Sequence, residues 1–94
     1  MEFKWDDEKA ETNVTKHGVS FSEAEEAFYD PYFISYPDDE HSWAEQRMKL
    51  VGATRKQLLL VIYVEIREDF FRIISAREPN KYEKRLYYEH REDW

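Results

Sequence analysis

Apolar residues recur at helical spacing in the first third of the chain and at strand spacing from about residue 47 to 77. "MEFKW" alternates weakly and reads as a short first strand. Asp6 or Asp7 then offers an N-cap, acids fill the first turn, and Ala10 and Val14 stand four apart on one helix face. Lys16 and His17, followed by Gly18, form a helix stop, because cations complement the C-terminal dipole and glycine takes the left-handed position beyond it. Ser20, with Glu23 three residues on, opens a second helix along the stripe Phe21, Ala24, Ala27, Phe28, which ends at Asp30-Pro31. "YFISY" is a candidate strand, and "PDDEHSWA", residues 37–44, is a polar loop.

The strand pattern then takes over. Met48 and Leu50 alternate with Arg47, Lys49 and Val51, as in a half-buried strand. "QLLLVIYV" is apolar on both faces and predicts the central strand. In "FFRIISAR" a strict period of two places Phe71, Ile73 and Ser75 on one face and Arg72, Ile74 and Ala76 on the other. Pro79 stops that strand, and Asn80 with Glu83 starts a last helix over "KYEKRLYYEHRE". The order is β-α-α-β-β-β-β-α. Short turns in the second half predict antiparallel neighbours, hence an α+β domain: a small antiparallel sheet flanked by two N-terminal helices and one C-terminal helix.

A chain of 94 residues fits one domain, 1–94, and sixteen aromatics furnish its core despite a net charge of −7. There is no cysteine and no apolar stretch of membrane-spanning length, so a soluble cytoplasmic protein is expected, without disulfides or thiolate metal sites. The charge is uneven. Residues 1–46 hold three lysines against thirteen acids, whereas 47–77 hold seven Lys and Arg against three acids. A local basic surface on an acidic body can focus a polyanion.

No phosphate-binding glycine loop, nucleophile elbow or His-Glu-x-x-His motif is present, and His17, His41 and His90 lie at no shared spacing, so neither metal nor cofactor is expected. What remains is Arg, Lys, Glu and Tyr near strand ends and on the last helix. Those types suffice for RNA cleavage by the 2′-hydroxyl: a base takes its proton, cations hold the phosphate and an acid protonates the leaving oxygen.

Three blocks carry a resemblance: "WDDEKAETNVTKHGVSFSEAEEAFYDP", "DDEHSWAEQRMKLVGA" and "FRIISAREPNKYEKRLYYE". Together, in order and spacing, they resemble the BrnT toxins of bacterial type II toxin–antitoxin modules over about Phe3 to Glu89. The resemblance implies a RelE-like fold, a ribonuclease that halts translation, a BrnA-like DNA-binding antitoxin as partner, and contact with operator DNA only through that complex. Carried over by motif, Arg47 and Arg77 would clamp the phosphate, Glu83 and Tyr87 would move protons, and Lys49, Arg55, Arg72 and Lys16 would attract RNA. Pro79-Asn80 stands where the family pattern has Ala-Thr, which still starts a helix.

Structural roles compete at several of these positions. Lys9, Asn13, Lys16 and His17 form a stripe that faces RNA on one reading and serves packing and capping on the other, and the second is favoured because helix ends recruit cations anyway. Arg77 can be simply an ion-pair partner for Glu83 or Glu78, and Glu83 a helix-start acid. The net acidity also admits a different class of function: a non-catalytic module that docks a DNA-binding partner.

Overall fold

The computed structural model describes residues 1–92; Asp93 and Trp94, the last two of the expected 1–94 domain, lie outside the described residues. Five strands and three helices follow in the expected order: β1 (Glu2–Lys4), α1 (Asp7–His17), α2 (Phe21–Ala27), β2 (Ile34–Pro37), β3 (Met48–Ala53), β4 (Leu58–Arg67), β5 (Phe70–Arg77) and α3 (Lys81–Glu92), with a 3-10 turn at Asp39–His41 between β2 and β3. The caps are those the residues specify. Asp6 accepts from the Lys9 N–H, Ser20 accepts from the Glu23 N–H, and Gly18 ends α1 at φ 68°, its N–H bonded to the Val14 carbonyl.

The sheet order is β1-β5-β4-β3-β2. Strands β2 to β5 pair antiparallel, but β1 pairs parallel to β5, so the sheet is mixed and the all-antiparallel expectation is corrected. The reason is connectivity. Tight turns reverse the chain between β3, β4 and β5, whereas two helices separate β1 from the next strand, so no hairpin sets its direction. β1 covers only Phe70 to Arg72 on the free edge of β5. Further along that edge a side chain takes over. Asn13 of α1 accepts from the Ala76 N–H at 3.0 Å and donates to the Ala76 carbonyl at 2.8 Å and the Val19 carbonyl at 2.9 Å, acting as a one-residue strand partner.

A second correction concerns β5. Its register against β4 slips between Tyr63↔Ile73 and Ile62↔Ser75, leaving Ile74 as the extra residue of a bulge. Ile73 and Ala76 consequently share the core under α1 and α2, contrary to the strict alternation, while Ser75 and Arg77 turn to the opposite face.

Each sheet face has its own core. Under α1 and α2 lie Leu50, Leu59, Val61, Tyr63, Ile73 and Ala76, with an aromatic cluster in which Phe28 meets Phe3, Tyr63 and Phe71 at centroid distances of 4.9, 5.0 and 5.2 Å. Helix α2 approaches closely because Ala27 meets Gly52 of β3; a Cβ on Gly52 would lie 2.5 Å from the Ala27 carbonyl oxygen. On the other face Tyr87 of α3 packs with Val51 and Leu60, and Tyr32, Ile34, Tyr36, Leu58 and Ile62 are partly buried around them. Beyond α3 that face opens into a cleft over Lys49, Ile62 and Ser75.

Candidate active site

The register of β3, β4 and β5 builds the floor of the open face. Lys49 pairs with Ile62 and Ile62 with Ser75, placing the three in one row across the sheet, and the bulge adds Ile74 beside Ser75. A cleft of about 350 Å³ stands on this row. Arg77 and Lys49 supply cations from two strands, and the loop before β3 adds Arg47, His41, Asp38 and Glu40 as a wall.

That loop is held by its own polar groups. The Asp38 N–H donates to the Arg47 carbonyl at 2.8 Å, extending the β2–β3 ladder by one step. The Ser42 hydroxyl donates to the Asp38 carbonyl at 2.6 Å and accepts from the Arg47 N–H at 2.9 Å and from Gln46 Nε2 at 3.0 Å. Asp38, 3% exposed, presents both carboxylate oxygens to Nδ1 of His41, at 3.2 and 3.1 Å. A buried carboxylate on Nδ1 fixes the orientation of the ring.

Acids near the cleft are largely engaged. Glu83, 3% exposed, takes Arg77 in a two-pronged pair at 2.9 and 3.0 Å, and it also closes a reciprocal capping box with Asn80, at 2.8 and 2.9 Å. Burial alone would raise the Glu83 carboxyl, but the hydrogen bonds from Arg77 and the Asn80 N–H outweigh it and hold it below the ordinary carboxylate value. Arg47 and Lys49, both half-buried, make no ion pair among the described residues; the Lys49 ammonium lies 5.9 Å from the centre of the Tyr36 ring. Half-buried cations that form no ion pair can seat an anion, although Asp38 and Glu40 stand in the same wall.

The structure thus brings Arg47, Lys49 and Arg77 together, with Glu83 behind Arg77. Lys16 lies next door, in a hollow of about 230 Å³ that it lines with Lys9, Thr12 and His17 and that shares Ile74 and Ser75 with the cleft. Of the α1 stripe, Asn13 is structural and the two lysines and His17 border this hollow.

Tyr87 and Arg55 are placed elsewhere, and Arg72 lies outside the cleft lining, held by Glu45 of the adjoining loop. Tyr87, 1% exposed, donates to Asp30, which also accepts from the Ala53 N–H at 2.7 Å, so this chain of bonds ties α3 to β3; burial and the Asp30 carboxylate raise the phenol far above its ordinary value. Arg55 sits past the far end of β3 on Glu26. Sequence reasoning missed Asp38 and His41. Their signal is an Asp three residues before a His in the loop leading to Glu45-x-Arg47.

Among the described residues no three His, Cys, Asp or Glu side chains converge as a metal site, and no helix is long and apolar enough to cross a membrane. Fold and site together define a small α+β domain whose open sheet face carries a cationic cleft beside a carboxylate–histidine pair. A family model described as the ribonuclease toxin BrnT of type II toxin–antitoxin systems matches residues 5–83. The fold is similar to the 1.1 Å crystal structure of the Brucella abortus ribonuclease toxin BrnT, with a TM-score of 0.66 and 23% identity over 86% of this chain and 99% of that one. No curated protein matches the chain. The family match spans most of the sequence, and the chain belongs to the BrnT family of ribonuclease toxins. A type II system pairs such a toxin with an antitoxin.

Proposed function

We propose that the open face cleaves RNA internally, without metal, through attack of a 2′-hydroxyl on the adjacent phosphorus. Arg47, Lys49 and Arg77 hold the phosphate oxygens and stabilise the charge that builds on them. His41, oriented by Asp38, takes the 2′-hydroxyl proton; the new bond from the 2′ oxygen to phosphorus forms as the bond to the 5′ oxygen breaks, and the leaving oxygen gains a proton from solvent, to which the cleft is open. The products are a 2′,3′-cyclic phosphate and a 5′-hydroxyl. Glu83 is a positioning residue that fixes the Arg77 guanidinium, and Lys16 borders the path of the flanking strand.

The observation that carries this reading is the pair of half-buried, unpaired cations, Arg47 and Lys49, beside the Asp38–His41 pair. In the cell we place the protein in the cytoplasm, halting translation by transcript loss and neutralised by a BrnA-like antitoxin, the complex reaching operator DNA through that partner. The overall architecture is consistent with a RelE-like nuclease.

Induced expression without the adjacent gene tests it. Growth should stop and transcripts should fragment with cyclic phosphate ends, in lysates and with purified protein in EDTA alike, and Arg47→Ala combined with Lys49→Ala should relieve both. Undiminished toxicity in the double variant removes the site. Intact RNA with tight binding to the neighbouring gene's product supports the non-catalytic docking module instead.

A further inference from the structure

Among the described residues Trp43 is the most exposed of the large apolar side chains, at 88%, so an indole ring stands in water beside a charged cleft. Such exposure is costly for an indole. The ring stands on the loop between β2 and β3. Its neighbour Ser42 is the centre of the hydrogen-bond knot joining Asp38, Gln46 and Arg47. Trp43 shares a hollow of about 120 Å³ with His41, Glu45 and Arg47, and its ring centre lies 6.4 Å from that of His41. The same two residues, His41 and Arg47, wall the cleft on their other side. A phosphate seated against Arg47 therefore has an aromatic face within reach of the base attached to its own sugar.

We infer that Trp43 is the stacking platform for an unpaired nucleobase next to the scissile phosphate, and that it restricts the substrate to single-stranded RNA. The inference rests on the cleft being the RNA site. Stacking is tolerant of base identity, because every base has a π face, but it requires that base to be free of a pairing partner. A duplex keeps its bases inside, so it presents phosphates to Arg47 and Lys49 and nothing to the indole.

The test is anisotropy of a labelled, non-cleavable 2′-O-methyl oligoribonucleotide with the full-length chain, in single-stranded and duplex form. Trp43→Ala should weaken single-strand binding by roughly tenfold or more, Trp43→Phe should retain most of it, and duplex binding should be weak and indifferent to either change. Replacing one base at a time by an abasic site should, at one position, lower wild-type affinity by the same factor and leave Trp43→Ala unaffected. Unchanged binding by Trp43→Ala, or a loss that no abasic position reproduces, overturns the inference, as does a variant that loses only its affinity for the antitoxin. If Arg47→Ala loses binding while Trp43→Ala keeps it, the platform alone falls; if the wild type binds neither form, the cleft falls with it.

Discussion

Replacing Asn13 with Ala removes one side chain and orphans three backbone groups. Asn13 is 4% exposed, and its amide is the partner of the Ala76 N–H and of the Ala76 and Val19 carbonyls, at 2.8 to 3.0 Å. Ala76 itself is wholly buried. A buried group left without its partner costs about 1–3 kcal/mol, and the two carbonyls suffer less than the N–H because each retains a second lone pair. Roughly 3–4 kcal/mol for the set is a large share of the 5–15 kcal/mol that holds a domain together. In a chain of this size it corresponds to a fall in midpoint of roughly 12–30 °C, at about 4–8 °C per kcal/mol. Asn13→Asp should be at least as damaging, since a carboxylate would face two carbonyl oxygens. Thr12→Ala, one residue away and exposed, should leave the midpoint unchanged. Circular dichroism melts of the three variants decide the matter: a midpoint for Asn13→Ala within about 3 °C of wild type would refute the view that Asn13 substitutes for a strand on the β5 edge.

Other expectations follow from single contacts. Gly52→Ala should lower stability by about 1–3 kcal/mol in urea titration, because its Cβ meets the Ala27 carbonyl and neither is at the end of a flexible side chain. Glu83 has its carboxyl held below its ordinary 4.5, so its stabilisation is complete above that value and is lost as pH falls through the lower folded value; Glu83→Gln should be less stable at neutral pH and show a shallower decline in acid, and parallel curves would argue against the pairing. Tyr87→Phe should cost about 1–3 kcal/mol by losing the bond to Asp30 yet leave cleavage at the wild-type rate; a selective loss of rate would return Tyr87 to the chemistry.

The element order was legible because each signal was local. Gly18, Ser20 with Glu23, and Asn80 with Glu83 act on their own helix ends, and the double-sided apolar run 58–64 leaves the central strand no other place. The parallel edge strand was not legible, since β1 contacts β5 across more than sixty residues and no turn links them. Nor was the bulge at Ile74, which comes from pairing register and reverses the alternation for the residues that face the cleft. Arg47, Lys49 and Arg77 were readable as a basic stretch resembling a family motif. The burial of Tyr87 was not legible, because spacing on a helix says which residues share a face but not that the face is buried. Asp38 and His41 were overlooked because a loop has no periodicity, and their pairing arises from a 3-10 turn tied down by Ser42.

In the proposed reaction His41 activates the 2′-hydroxyl; its side chain is 55% exposed, but removing it takes from the buried Asp38 carboxylate its ring partner and lowers stability. The direct measurement is single-turnover cleavage of one defined single-stranded RNA, in EDTA, by wild type and His41→Ala at a temperature where circular dichroism shows both fully folded. A fall of about 10²-fold or more, with cyclic phosphate ends on the wild-type product, is the predicted result; a wild-type rate from His41→Ala would contradict it.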